Sequence, residues 1–244
     1  MIKKINKDQE IIFGAHPIIE LLKAKKRKIH EIYTIKPQPK AWNQIAHSLP
    51  NYVKIHYVTK DALNKLAGTD DHQSIVAIAG QLPIRKKFFD SKKEKFILML
   101  DGIQDTRNLG AILRSAYCTG VSGVIITTKN SAPISGSVLK ASAGLAEHLE
   151  IYLAPTPQAA ILELKKAGYA IFLATIEKSH NVLNLEFNLP LCIVIGNEAT
   201  GISKNILGSG QHITLPQKTA DISYNASVAA GILLFLVSTK NQII

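Results

Sequence analysis

Four runs in the second half of the chain, FILML at 96–100, GVIIT at 123–127, YAIFLAT at 169–175 and LCIVIG at 191–196, are apolar with no polar–apolar alternation. A strand with one wet face alternates with period two, whereas a run that is apolar throughout belongs to a strand covered on both faces. Helical patterns separate the four runs. The expectation is a doubly wound α/β domain with a parallel sheet, which binds ligands at the carboxyl ends of its strands. No G-x-G-x-x-G follows any of these runs and no Walker loop is present, which disfavours a dinucleotide oxidoreductase and a P-loop enzyme.

The first part of the chain has a different rhythm. A helix is expected from His16 to Lys25, an extended HEIYTI, a helix near Lys40 to Ser48, an extended VKIHYV, a short helix from Asp61 to Leu66 and an apolar SIVAIAG. This βαβα alternation predicts a compact α/β sandwich. The proline-punctuated, basic QLPIRKKFFDSKKEK then reads as a linker. The expected division is 1–80, a linker at 81–94, and 95–244.

The net formal charge of +11 is unevenly spread. Residues 1–94 hold 18 Lys and Arg against 9 Asp and Glu, while 95–244 hold 11 against 9. Clustered cations neutralise phosphates, so the first part is the expected grip on a polyanion such as RNA. The run Lys23, Lys25, Lys26, Arg27, Lys28 alone reads equally as a solvated helix end; the clusters Arg85-Lys86-Lys87 and Lys92-Lys93 favour RNA. No apolar run reaches the length needed to span a bilayer, and MIKKINKDQE lacks the apolar stretch of a secretory signal, so no membrane association and a cytoplasmic location are expected. Cys118 and Cys192 lie in apolar sequence without metal-ligand spacing and read as core residues; no metal site is expected.

Three segments carry the polar residues of a candidate site. In FILMLDGIQDTRNLGAILRSAYCTG, Asn108 is positioned to cap a helix whose apolar face is Leu109, Ile112, Leu113, Ala116 and Tyr117, with Gly120 ending it. Arg114 falls off that face, four residues after Gly110. An anion at the helix start would meet free N–H groups and the arginine fork. In LPLCIVIGNEATGISKNI, Gly196 and Gly201 bracket a loop that places Glu198 at a strand's carboxyl end, ahead of a helix that Ser203 would cap. In HITLPQKTADISYNASVAAGILLFLVS, a short strand and a polar loop precede a helix opening near Asn225. Taken singly, the first segment reads equally well as a cap, a tolerated glycine and a surface arginine, a lone G-N-E-x-x-G is weak evidence, and the third reads better as a core helix whose Ser223 and Asn225 are only caps.

In order and spacing, N-x-G-A-x-x-R, the KASAGLAEHLEI stretch, G-N-E-x-x-G and S-x-N-x-S-V-A-A-G resemble the SpoU branch of the SPOUT methyltransferases over residues 95–244. GAHPIIELLK, KIHEIYTI and DDHQSIVAIA resemble the ribosomal-protein-like substrate-binding domain that the 23S ribosomal RNA guanosine methylases of this branch carry. The resemblance implies transfer of methyl from S-adenosylmethionine to a ribose 2′-oxygen of structured RNA, a deep C-terminal trefoil knot, and a homodimer whose second subunit completes the site. It assigns Asn108, Arg114, Glu198, Ser223 and Asn225 to catalysis and substrate orientation. Gly196, Leu215 and Tyr224 would contact the cofactor, with Ala174, Thr175 and Gly201 nearby. No metal is implied, since the sulfonium already activates its methyl group.

Four positions depart from the family pattern: Thr106 where Pro is usual, Ser74 where H-Q-G has Gly, Gln217 where Met is common, and Tyr224 where Leu is usual. Ribosomal RNA is the expected substrate and transfer RNA its rival. A non-catalytic RNA-binding ribosome-assembly factor is the alternative from another functional class, disfavoured by the retained Asn108, Arg114 and Glu198.

Overall fold

The computed structural model describes residues 6–176, 179–219 and 223–244; the start of MIKKINKDQE and residues 220–222 of the third segment lie outside them. The first elements in the chain are β1 (Gln9–Phe13), α1 (Ala15–Ala24), β2 (Ile29–Thr34), α2 (Trp42–Ser48), β3 (Lys54–Tyr57), α3 (Lys60–Ala67) and β4 (Ile75–Gly80). There follow β5 (Phe96–Asp101), α4 (Thr106–Cys118), β6 (Gly123–Thr127), α5 (Gly136–Ala141), β7 (Ile151–Ala154), α6 (Pro157–Lys166), β8 (Ala170–Ala174), β9 (His180–Asn181), β10 (Leu191–Gly196), β11 (Gln211–Thr214) and α7 (Ala226–Lys240). Two compact units result: Met1–Pro83 with Ile134–His148, and Ile84–Pro133 with Leu149–Ile244.

The first unit is built on a four-stranded mixed sheet in the order β1-β4-β2-β3. β4 runs antiparallel to both β1 and β2, and β2 runs parallel to β3. The three expected helices form, each because apolar positions recur on one face. In α1, for example, Ile18 and Leu21 are buried, and Lys25 ends the helix in the left-handed region at φ 54°. Strand β1 is additional to the expected elements; its five residues are too short a pattern to separate from a loop.

The basic run 23–28 is only partly a surface. Arg27 has a side chain that is 3% exposed, with Nη1 donating to Glu10 Oε2 at 2.5 Å and to the Gly80 carbonyl at 2.8 Å. Its Nε donates to Glu147 Oε2 at 3.1 Å, and its Nη2 donates to Glu147 Oε1. Burial pushes the fully buried Glu147 carboxyl above its ordinary range, with the arginine opposing that shift. The expectation that Arg27 either contacts RNA or is solvated is therefore corrected.

The second unit holds a seven-stranded parallel sheet in the order β7-β6-β5-β10-β8-β11-β9. The four apolar runs supply β5, β6, β8 and β10, and HITL supplies β11; β7 and β9 are additional to the expected strands. On one side, α4 packs against α7; α6 packs with the 3-10 turn Lys204–Ser209 and with β6 and β7. Met99, Ile125, Leu164, Cys192 and Val194 belong to one buried cluster, and burial raises the Cys192 thiol pKa well above its usual range. Cys118 is exposed at the last turn of α4, which corrects its reading as a core residue. Residues 81–94 contain no helix or strand, yet Phe89 is buried in this unit's core. Arg85 lies 4.8 Å over the Phe89 ring and pairs with Glu94 at 3.2 Å, which leaves Lys86, Lys87, Lys92 and Lys93 as the exposed cations of this stretch.

Among the described residues no helix is long and apolar enough to cross a membrane, and no group of three or more His, Cys, Asp or Glu is placed to hold a metal ion.

Candidate active site

At the carboxyl ends of β8, β10 and β11 an open cavity of about 850 Å3 is walled by residues of the second and third segments. Nine of the eleven candidate residues line it: Ala174, Thr175, Gly196, Glu198, Gly201, Leu215, Ser223, Tyr224 and Asn225. Ile195, Ile202, Leu207 and Leu233 give it an apolar side, while Glu198, Gln217, Ser223 and Asn225 give it a polar one.

The loop after β10 is rigid for identifiable reasons. A Cβ at Gly196 would sit 2.3 Å from the Gly201 carbonyl carbon, so any side chain there displaces backbone. Gly201 closes the loop at φ +67°. Asn197 and Gly201 exchange backbone hydrogen bonds at 3.0 and 2.9 Å. The Asn197 side chain accepts from the N–H groups of Ala199 and Thr200, and its amide donates to the Gly102 carbonyl at 2.7 Å. Asp101 Oδ2 accepts the Ser203 N–H at 2.8 Å. The loop carrying Glu198 is thus fastened to the end of β5.

Asn108 does not cap α4. Asp105 is the N-cap, accepting the Arg107 N–H at 2.7 Å, and hydrogen bonds from the Arg107 side chain and backbone hold its carboxyl below the usual range. Asn108 instead lies in the first turn, where its Nδ2 donates to Glu198 Oε1 at 2.9 Å. Leu109, Ile112, Leu113 and Ala116 are buried as expected, but Tyr117 is exposed. Ser203 precedes a 3-10 turn and makes no side-chain cap; its backbone N–H donates to Asp101.

Asn225 caps α7: its Oδ1 accepts from the Ser227 N–H at 2.9 Å and hydroxyl at 2.6 Å, and its side-chain amide N–H groups have no partner among the described residues. Arg114 stands apart. It is exposed on α4, does not line the cavity and has no side-chain partner among the described residues.

One titratable cavity residue was missed. His212 opens the third segment, and the structure places it in the wall. Its Nε2 lies 2.7 Å from the Leu207 carbonyl and so carries the proton, leaving Nδ1 to accept from the Thr175 hydroxyl at 3.2 Å. With both ring nitrogens engaged, this histidine is held in the wall and is not placed to remove a proton from a substrate.

Comparison with known proteins gives a consistent picture. Residues 95–235 match the SpoU rRNA Methylase family, and residues 11–84 match the RNA 2′-O ribose methyltransferase substrate-binding domain. A Staphylococcus aureus protein named as a TrmH family tRNA/rRNA methyltransferase is 32% identical over 244 residues, covering 96% of this chain and 93% of that one. YacO of Bacillus subtilis, named in the same way, is 29% identical over 249 residues and 98% of both chains. Among solved structures, an AdoMet-bound rRNA methyltransferase from Sinorhizobium meliloti shares the fold at a TM-score of 0.80 and 21% identity, over 97% of this chain and 88% of that one. An RNA 2′-O ribose methyltransferase does so at a TM-score of 0.84 and 21% identity, over 98% and 90%. This chain belongs to the SpoU rRNA methylase family.

Proposed function

We propose that the chain transfers a methyl group from S-adenosylmethionine to a ribose 2′-hydroxyl of structured RNA, with a guanosine of 23S ribosomal RNA as the target. The observation that carries this reading is the convergence of the GNEATG loop, the end of β8 and the start of α7 on one cavity, with Asn108 bonded to Glu198 at its edge. The cavity fits the cofactor. Its size falls within the roughly 300–1,000 Å3 of small-molecule sites, its apolar side suits an adenosine, and its polar side suits a charged amino-acid tail. Gly196, Leu215 and Tyr224 hold the cofactor, with Ala174, Thr175 and Gly201 around them. When bound, its sulfonium supplies an activated methyl group.

The remaining work falls to this chain's side chains. Asn108 fixes one oxygen of Glu198 and leaves the other without a partner among the described residues. Ser223 and the side-chain amide of Asn225 orient the incoming ribose. Arg114, which does not line the cavity, acts from a second copy of the chain and grips the RNA phosphate with its two-pronged donor set. Exposed apolar residues support that homodimer: Val228, Ile232 and Phe235 recur on one side of α7, and Tyr117 is exposed on α4. A trefoil knot formed by the loops around β10 and α7 completes the reading.

The relatives are named for tRNA and rRNA alike, so transfer RNA is the second substrate to test. Mapping 2′-O-methyl positions in total RNA from cells with and without the gene tests the proposal. Loss of one mark in 23S ribosomal RNA is expected. Loss of a transfer RNA mark would replace the substrate, and unchanged RNA would favour the non-catalytic ribosome-assembly role.

A further inference from the structure

Strands β5 and β10 are neighbours, with Asp101 paired in register to Gly196 at their carboxyl ends. From β5 the sheet proceeds through β6 to β7, and from β10 it proceeds through β8 to β11, so this is the point where the strand order reverses. Open α/β sheets leave a crevice there, and a second cavity of about 410 Å3 occupies it. It lies across the Asn197–Gly201 loop from the larger cavity, and Asn197, Ala199, Thr200 and Gly201 line both.

We propose that this switch-point cavity receives an unpaired nucleobase of the RNA substrate; the inference rests on the methyltransferase reading above and adds to it a base-recognition subsite. Its lining is amide-rich, with Lys129 the one cation among the lining residues. Gln104, Asn130, Gln158 and Asn205 all face it, and their side-chain amides have no partners among the described residues. An amide both donates and accepts, which is what the mixed edge of a base requires and what a phosphate does not. Asp101 adds a carboxylate that is 3% exposed; its Oδ2 accepts the Ser203 N–H, while Oδ1 has no partner among the described residues and is an acceptor for a base N–H.

The start of α6 also borders the cavity but is poorly equipped for an anion. Pro157 has no N–H, and the Ala159 N–H is already taken by the Thr156 hydroxyl at 3.2 Å. Bases in RNA loops are commonly splayed out of the stack and read on their edges by side chains. A base seated here would anchor the strand beside the loop that carries Glu198.

Saturation-transfer NMR on the full chain, with each of the four ribonucleoside 5′-monophosphates as probes and ribose 5-phosphate and inorganic phosphate as controls, tests this. Base protons of at least one nucleotide should receive saturation. The signal should fall at least about fivefold in Gln158→Ala and Asn205→Ala, two exposed positions outside the proposed catalytic set. Ribose 5-phosphate should neither bind comparably nor displace the nucleotide. Base signals unchanged in both variants, or equal competition by ribose 5-phosphate or phosphate, would overturn the subsite. Calorimetry with S-adenosylmethionine separates the two ideas: cofactor binding without any nucleotide signal refutes the subsite alone, whereas failure to bind the cofactor refutes the methyltransferase reading.

Discussion

Asn108 Nδ2 donates to Glu198 Oε1 at 2.9 Å, a hydrogen bond between residues 90 positions apart that joins the first turn of α4 to the loop after β10. The bond is exposed, so Asn108→Ala should cost no more than about 0.5–1.5 kcal/mol of stability. Misplacing a group at a reacting centre is far more expensive in rate, and turnover should fall about 10- to 100-fold while cofactor affinity survives. Glu198→Gln keeps an oxygen for Asn108 but removes the charge. If the bond's role is to position the loop, this variant should retain more activity than Glu198→Ala, and equal loss in both would assign the effect to the charge.

Ser74 stands where the family has glycine, and its backbone has φ +61°. Its N–H donates to His72 Nδ1 at 2.9 Å and its carbonyl accepts from the Thr34 hydroxyl at 2.9 Å, bonds that glycine also makes. Ser74→Gly relieves a left-handed conformation at no loss of either bond. It should raise stability by up to about 1 kcal/mol, read as a higher thermal midpoint, after allowing for the greater freedom of glycine in the unfolded chain.

The same turn makes the first unit acid-sensitive. His72 is fully buried, its Nδ1 accepts from Ser74 and its Nε2 lies 2.7 Å from Asn64 Oδ1, an arrangement that requires the neutral ring. Burial, the leading cause, lowers its pKa from the ordinary histidine value, with the Lys60 charge acting in the same direction. A group with a depressed folded pKa contributes stability that is present above the unfolded pKa and lost as pH falls through the folded one. Urea midpoints should therefore drop on acidification below about pH 6.5, the unfolded histidine value, and His72→Gln should lose that part of the slope. An identical slope in the variant would remove His72 from the acid response.

What the sequence made legible were features set by neighbours within one turn or one strand. The unbroken apolar runs announced a parallel sheet, and Asn225 announced the opening of the last helix, which it caps. Several of the misreadings involve a distant partner, whereas Tyr117 and Cys118 were misplaced only in burial, at the exposed last turn of α4. Asp105 and Asn108 are both good caps, and Glu198 is what diverts Asn108 to another task. Ser203 is held by Asp101, 102 positions away, and Arg27 by Glu147, 120 positions away. His212 sits at the edge of a segment already singled out, where its chemistry was visible but its two hydrogen bonds were not.

Arg27 should be the least replaceable of the basic run. Arg27→Met leaves the fully buried Glu147 carboxyl without its main partner, and breaking a buried pair in this way costs about 3–5 kcal/mol. Adding Glu147→Gln to Arg27→Met should recover part of that loss, since no ionisable group is then left buried without its partner. Lys25→Met, on the exposed side of the same run, should stay within about 0.5 kcal/mol by denaturant unfolding. Equal costs for Arg27→Met and Lys25→Met would show that the buried cluster does not hold the unit together.

Arg114 and Glu198 can be separated by mixing subunits. Arg114 is exposed, outside the cavity and without a partner among the described residues, whereas Glu198 lines the cavity. Arg114→Ala should leave stability within about 0.5 kcal/mol of the parent and cofactor binding intact, yet abolish most turnover. Arg114→Lys should not rescue it, because the planar fork is lost although the charge remains. If each site takes Glu198 from one subunit and Arg114 from the other, inactive Arg114→Ala and inactive Glu198→Ala proteins should regain activity when unfolded and refolded together. Random pairing makes half of the dimers mixed, and one of the two sites in each is intact, so about a quarter of wild-type activity is the expected ceiling in a two-fold dimer. A mixture no more active than its parents, with mixed dimers demonstrated by mass spectrometry, would place both residues in the same subunit's site and require Arg114 to reach the cavity by a change of conformation.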